Sequence, residues 1–185
     1  DTNGNFSVRV TAGTWGIQVD DTPLIVHGYL GLQNGVLTNA GAAGVILKVP
    51  KATALIYGSV KDELGNPLTG IDVYASDNNN YLYQTDGYTD MNGNYVVGVL
   101  GDLIDDPWGV GISSDTSPAN YVFSQPDFGP AGGVNLSVGE AVLVNFTAML
   151  ATNHITGNVK DAEGANIAGV GVNAYTTLGG TNYQA

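Results

Sequence analysis

Residues 56–75 read IYGSVKDELGNPLTGIDVYA, and residues 155–174 read ITGNVKDAEGANIAGVGVNA. The two stretches align without a gap at a constant offset of 99 positions, which relates Gly58 to Gly157. Chance is a poor explanation for a gapless match over 20 residues, so we interpret this first motif as an internal repeat. Internal repeats are the sequence signature of tandem architectures.

A second motif repeats at a different offset. DTNGNFSVRV at residues 1–10 matches DMNGNYVVGV at residues 90–99, an offset of 89 positions. Downstream of each copy a Trp-Gly pair recurs, as Trp15-Gly16-Ile17 and as Trp108-Gly109-Val110. Both motifs therefore occur twice, and the order in which they occur predicts the domains.

That order divides the chain into three segments. Residues 52–150 carry both motifs and are predicted to form one complete β-sandwich domain. Residues 1–51, the N-terminal segment, carry only the C-terminal half of such a domain. Residues 151–185, the C-terminal segment, carry only the N-terminal half. We therefore expect the C-terminal segment to be completed by the N-terminal segment of a neighbouring copy, as in one period of a longer tandem array.

The repeat leaves three arrangements open. A long chain can continue covalently through many periods, or separate subunits can each lend half a sandwich to the next. The second arrangement is heterologous head-to-tail assembly, which produces an open filament. A fragment trimmed arbitrarily from a longer protein is the third, but its open strand edges would leave it unstable or prone to association.

Alternation of apolar and polar residues predicts strands. Ile56, Gly58 and Val60 are expected on one face of a half-buried strand, and the residues between them on the other. Residues 62–67 are expected to form a turn, and Asp90–Asn94 to form a tight hairpin. Further alternating stretches lie at residues 71–75, 81–83, 95–99, 108–112 and 142–146. About seven strands at this spacing predict an all-β sandwich domain in each period.

The amino-acid composition restricts the kinds of molecule that the chain is expected to bind. The net charge is −12, and the five basic residues form no patch that could neutralise phosphates: Arg9, Lys48, Lys51, Lys61 and Lys160. We therefore expect no nucleic-acid partner. The chain has no cysteine and hence no disulfide or thiolate metal site. It has no run of 18 apolar residues, so we expect no membrane insertion.

The combined pattern G-x-V-x-D-x-x-G-x-x-[LI]-x-G-[VI]-x-V, then T-D-x-N-G-x-Y, stands here as Gly58–Val73 and Thr89–Tyr95. It resembles the carboxypeptidase regulatory-like domains and, more loosely, the collagen-adhesin B-type repeats. The resemblance implies a prealbumin-like, Ig-like seven-stranded sandwich. It also implies an extracellular scaffold without catalysis of its own.

Two loops place oxygen ligands at alternate positions, as the start of a calcium-binding EF-hand loop does: Asp1, Asn3 and Asn5, and Asp90, Asn92 and Asn94. The acidic residue that such a loop needs at its twelfth position is missing from both. A hairpin turn in which the aspartate accepts hydrogen bonds from its own backbone explains the same residues. Calcium is therefore the weaker of two interpretations, and no other cofactor is expected.

The sequence contains candidate residues for two covalent modifications, an isopeptide bond and N-glycosylation. Lys61 and Asn145 are the pair that the adhesin resemblance implies for an isopeptide bond, but Lys61 is expected on the solvent face, which argues against it. Asn5, Asn135 and Asn145 each begin an N-glycosylation sequon.

The sequence favours an extracellular or cell-surface structural protein, a repeat unit assembled head to tail with copies of itself into a fibre, filament or stalk. No nucleophile elbow, P-loop or zinc-ligand spacing is present, so we expect no enzyme. The alternative is an adhesive or carbohydrate-binding accessory module of a larger surface protein. Tyr81, Tyr83 and Tyr88 could stack on sugars there, although packing explains them as well.

Overall fold

The computed structural model describes residues 1–19, 22–33, 35–113, 116, 118, 120–125 and 133–184; Ala185 lies outside them. The described chain is almost entirely β, which confirms the all-β prediction. Its elements are β1 (Thr14–Ile17), α1 (Thr22–Ile25), β2 (Gly31–Leu32), β3 (Val36–Asn39), β4 (Ala54–Asp62), β5 (Asp72–Asp77), β6 (Tyr83–Tyr88), β7 (Asn94–Val99), β8 (Trp108–Ile112), β9 (Tyr121–Gln125), β10 (Ala141–Leu143), β11 (Phe146–Leu150), β12 (Tyr175–Leu178) and β13 (Thr181–Gln184).

The first sheet is built around β4, the strand of the first motif. Its inward residues Ile56 and Val60 are fully buried, while the residues between them face outward, as the alternation predicted. β7 pairs antiparallel along one edge of β4, and β10 and β11 pair parallel along the other edge. β9 continues the sheet beyond β11. β4 therefore has a strand on each side.

β10 and β11 were predicted as one strand over residues 142–146. The structure interrupts it at Val144 and Asn145, because the side-chain oxygen of Asn145 accepts the backbone N–H of Ser59 at 2.9 Å. A side chain here replaces a backbone carbonyl in the ladder. Since β10 and β11 lie in line beside β4, they occupy a single row of the sheet.

The second sheet has the strand order β2-β6-β5-β8. β5 pairs antiparallel with both β6 and β8. The sequence placed Tyr81 on a strand, but β6 begins at Tyr83, and Tyr81 has a φ of 51° in the preceding loop. The buried carboxylate of Asp77 accepts the backbone N–H groups of Leu82 and Tyr83 and so closes this loop.

Side chains from both sheets form one hydrophobic core. We call the unit formed by β4–β11 the central sandwich. Trp108 and Phe146 are its largest fully buried side chains, and the rings of Tyr95 and Phe146 pack at a tilt with centroids 6.1 Å apart. Burial of each such side chain contributes about 1.5–3 kcal/mol.

Part of the N-terminal segment belongs to this core. Leu30 is fully buried within it, and its N–H donates to the carbonyl of Pro50 at 3.0 Å. The next two residues form β2, which pairs with β6. The sequence motifs carried no signal for this contact, because residues 24–33 have no counterpart in either repeat.

The C-terminal segment ends in a hairpin. β12 and β13 pair antiparallel across Gly179 and Gly180, whose φ angles of 59° and 87° suit a two-residue hairpin turn. β13 also pairs antiparallel with β9 and extends the first sheet. The sequence did not predict this docking.

The remaining parts of the two terminal segments carry little regular structure. Among the residues that the structure describes, β1 and β3 pair only with each other, and residues 1–13 and 151–174 contain no named strand. Within the described residues, no helix has the length and apolar character needed to cross a membrane.

The first motif provides a matched pair of substitutions. Ile56→Ala should lower the free energy of unfolding by about 2–5 kcal/mol, because it leaves a cavity in the core. Ile155→Ala, at the repeated position, should change it by less than about 0.5 kcal/mol, because that side chain is exposed. Urea unfolding of the dilute chain measures both. Equal losses for the two variants would contradict the assignment of the core.

Candidate assembly site

The two copies of the first motif have the same local geometry. The Asp62 carboxylate accepts the N–H groups of Leu64 and Asn66 at 2.9 and 2.8 Å. The Asp161 carboxylate accepts the N–H groups two and four positions later at 3.1 and 2.7 Å. In both copies the Gly three positions after the Asp has a positive φ. The turn therefore forms from local sequence alone.

The apolar residues around these turns differ sharply in exposure. Ile56 and Val73 are 0% exposed in the central sandwich. Their repeats, Ile155 and Val172, are 93% and 75% exposed. Val159, Ile167 and Val170 are also exposed, whereas their counterparts pack in or against the core. The C-terminal segment thus presents to solvent the residues that make a core elsewhere in the same chain.

The second motif behaves in the same way. Tyr95, Val97 and Val99 are buried on β7, whereas Phe6, Val8 and Val10 are 49%, 61% and 38% exposed. The turn that precedes each set is again conserved in geometry. The N–H groups two and four positions after Asp1 donate to its carboxylate at 3.0 and 2.9 Å, and those after Asp90 do so at 2.8 and 2.9 Å.

The tryptophans of the two copies complete the comparison. Trp108 is 1% exposed, and its indole N–H donates to the carbonyl of Leu100 at 2.9 Å. Trp15 is 39% exposed, and its indole N–H donates to the carbonyl of Thr11 at 2.9 Å. Exposed apolar residues that form a contiguous set mark interaction surfaces more often than isolated ones do.

A third correspondence was missed by the sequence analysis. Residues 39–42 and 137–140 form the same turn, with N–H to carbonyl bonds of 3.1 and 3.0 Å and a left-handed Gly in each. In the strand-like stretch that follows, Val45, Leu47 and Val49 are half-buried and alternate with the exposed residues Gly44, Ile46 and Lys48. One residue more separates the turn from this stretch than at residues 137–146, so these side chains align with Val142 of β10, with Val144 and with Phe146 of β11. Their period-two alternation was the available signal.

These N-terminal stretches enclose an apolar groove. It has a volume of about 820 Å³, and its lining includes Phe6 and Val8 as well as Val45, Leu47 and Val49. In the central sandwich, the corresponding residues lie on β7 and along the row of β10 and β11, and β4 runs between β7 and that row. The groove is therefore lined by the counterparts of residues that flank β4 in the central sandwich.

One contact of the central sandwich has no equivalent in the groove. The hydroxyl of Tyr95 donates to the carbonyl of Val144 at 2.7 Å, and burial raises the pKa of Tyr95. Phe6, at the repeated position, has no hydroxyl to donate.

The residues considered for calcium lie in the two aspartate turns already described. Asn5 Nδ2 donates to the second carboxylate oxygen of Asp1 at 3.1 Å, while the backbone N–H groups of Asn3 and Asn5 donate to the first. In the turn at Asp90, the N–H groups of Asn92 and Asn94 donate in the same way. The hydrogen-bonded turn accounts for both arrangements. In the described part of the chain, no group of three or more acidic or histidine residues could hold a metal ion.

The candidate residues for covalent modification are all exposed. Lys61 is exposed on β4, where its register partner on β11 is Thr147. The side-chain oxygen of Asn145 accepts the N–H and hydroxyl of Ser59 at 2.9 and 3.1 Å. Asn135 and Asn145 are exposed, as is Asn5.

The tyrosines that the sequence offered for stacking on sugars differ in exposure. Tyr81 and Tyr88 are 58% and 56% exposed, and Tyr83 is half-buried.

The chain matches no protein-family model, no curated protein and no solved structure at a significant level.

The aspartate turn predicts a pH effect. The pKa of Asp62 lies below its ordinary value mainly because the Asn66 side chain donates a hydrogen bond of 2.8 Å to its carboxylate. Backbone N–H groups lower the pKa further, whereas desolvation raises it. Because the folded pKa is the lower one, the turn stabilises the fold above about pH 4, and this contribution is lost as the pH falls through the folded pKa. Asn66→Ala should raise the Asp62 pKa measured by carboxyl NMR titration. Leu64→Ala, which keeps the backbone donor, should leave it unchanged; equal shifts would contradict the assignment.

Proposed function

We propose that this chain is an extracellular structural protein, the repeat unit of a fibre, filament or surface stalk whose copies join head to tail. The observation that carries the proposal is the difference in burial between repeated residues. The same apolar motif is a core at residues 56–73 and a solvent-exposed surface at residues 155–172. Because these apolar residues are buried in one copy of the motif, we expect those of the other copy to be buried as well when the N-terminal segment of a neighbouring copy packs against them.

Head-to-tail joining follows from which half is at which end. The C-terminal segment carries the first motif and the N-terminal segment carries the second, so the two surfaces differ and each lacks the half that the other supplies. Contacts between two different surfaces are heterologous, and unless the rotation between copies closes a ring, they generate an open filament. Each completed sandwich would then alternate with a central sandwich along the axis.

The type of β-sandwich is also part of this proposal. We assign the central sandwich to the prealbumin-like type of the carboxypeptidase regulatory-like and collagen-adhesin B-type domains. Its eight strands occupy seven rows, because β10 and β11 share one row beside β4, and this supports a seven-stranded sandwich. The role is mechanical: stability comes from apolar burial between two sheets, and length comes from repetition.

Two arrangements of the fibre are compatible with this burial. In one, periods are covalently continuous; in the other, separate subunits exchange half domains. The intact mass of the native protein under denaturing conditions distinguishes them. A mass near 19 kDa identifies separate subunits, and a much larger mass identifies a continuous array.

A substitution on the exposed motif tests the proposal. The purified chain at high concentration should form filaments with a regular axial repeat in electron micrographs. Ile155→Asp should prevent them, because a carboxylate would have to enter a core without a partner. Met91→Asp is the control: Met91 is 85% exposed and lies in a turn of the central sandwich.

Both variants should retain the wild-type circular dichroism of the dilute chain. A monodisperse wild-type chain would overturn the fibre, and if that monomer also bound glycans, the adhesive alternative would replace it. Filaments of Ile155→Asp equal to those of the wild type would show that the exposed motif is not the joint.

A further inference from the structure

In the part of the chain that the structure describes, the backbone beside the apolar groove has no strand partner. Among the described residues, neither residues 6–10 nor residues 45–49 make a backbone hydrogen bond with another residue. The same holds for residues 152–158 of the C-terminal segment. Extended backbone with unpaired N–H and carbonyl groups is a template for strand addition.

We infer that residues 153–160 of a second copy insert into this groove as a strand. The inserted strand runs antiparallel to residues 5–10 and parallel to residues 45–49, as β4 does between β7 and the row of β10 and β11. This inference rests on the proposed function and adds the segment, the direction and the register of the joint.

The register follows from the two repeat offsets. In the central sandwich, Tyr57 lies opposite Val96 and Gly58 lies opposite Tyr95. Transfer of these pairs to the repeats places Thr156 of one copy opposite Ser7 of the next. It also places Gly157 opposite Phe6. Ile155 and Val159 then point into the groove, where Ile56 and Val60 are fully buried in the complete domain.

The turns at the end of the strand fit the same register. In the central sandwich, the N–H of Val60 donates to the carbonyl of Gly93 at 2.8 Å. A side chain at Gly93 would approach the carbonyl of Val60 to 2.6 Å. At the joint, Val159 and Gly4 take these positions. The φ angles of Gly4 and Gly93 are nearly equal, at 76° and 74°.

Gly157 is the residue with the sharpest steric requirement. A Cβ on Gly58 would lie 1.7 Å from the carbonyl oxygen of Val144 and 3.1 Å from the Tyr95 ring. A Cβ on Gly157 would meet nothing within 4 Å in the isolated chain. At the joint, Gly157 approaches the next copy at Leu47 and Phe6. Glycine is therefore needed at residue 157 only in the assembled state.

Cysteine cross-linking tests the register, since the chain has no cysteine of its own. The Ser7→Cys chain is mixed with the Thr156→Cys chain and oxidised under assembly conditions. Residues 7 and 156 form a non-hydrogen-bonded pair of the antiparallel ladder. In such a pair the two Cα atoms lie about 4.5 Å apart, so a disulfide can form. Its equivalents Tyr57 and Val96 are on the exposed face, so the substitutions spare the core. We expect a disulfide-linked dimer on a non-reducing denaturing gel.

The control shifts the register by two residues. The Ser7→Cys chain mixed with the Asn158→Cys chain should give several-fold less dimer, because diagonal pairs lie about 7–8 Å apart. Preferred linkage of Ser7→Cys to Asn158→Cys, or no linkage in either mixture although filaments form, would overturn the register and leave the proposed function standing. Absence of filaments with every chain would instead overturn the proposed function.

Gly157→Ala is the second variant. It should unfold at the same urea concentration as the wild type when dilute, because its Cβ meets open space and its φ lies outside the left-handed region. It should raise the concentration needed for assembly by roughly tenfold or more. Gly58→Ala, its matched partner, should destabilise the dilute chain itself. Unchanged assembly of Gly157→Ala would contradict the inserted strand.

Discussion

A strand that carries the first motif is buried only when it has a neighbouring strand on each side and a second sheet across the core. β4 meets this condition through β7, through the row of β10 and β11, and through the sheet of β5, β6 and β8. Residues 153–160 have the same sequence pattern and are followed by the same aspartate turn, but in the described part of the chain they have none of these neighbours. Local sequence therefore forms the turn, and tertiary context decides whether the strand beside it is buried. The exposed apolar surface at both ends of the chain follows from this single requirement.

Under the proposed assembly, the same requirement makes the N-terminal and C-terminal segments complementary. The N-terminal segment holds the counterparts of β7 and of the β10 and β11 row, and residues of both line an apolar groove of about 820 Å³. The C-terminal segment holds the counterpart of β4. Insertion would satisfy the backbone of three unpaired stretches at once and remove their edges from solvent, where edges promote uncontrolled association. A fibre built in this way uses within each joint the contacts that each subunit already uses within its own fold.

Much of this could be predicted from sequence, and the remainder depended on long-range packing. The period-two alternation located β4, β5, β7 and β8, because each has one buried face. It could not show that Leu30 enters the core, that β13 docks on β9, or that Asn145 interrupts the strand row, since these depend on residues distant in sequence. The aspartate turns fitted either a calcium loop or a hydrogen-bonded turn by sequence, and the backbone N–H geometry explains them as turns. The groove was missed because residues 39–49 resemble residues 137–146 in alternation and turn geometry rather than in residue identity.

The central claim is that residues 6–10 and 153–160 form paired strands in the assembled protein. Hydrogen–deuterium exchange, read by mass spectrometry on filaments and on the dilute chain, measures this directly, because exchange reports whether backbone N–H groups are hydrogen-bonded in a stable structure. The account predicts that in filaments the amides of residues 155–159 exchange as slowly as those of residues 56–60, and that in the dilute chain they exchange rapidly. Rapid exchange of residues 155–159 within intact filaments would contradict it.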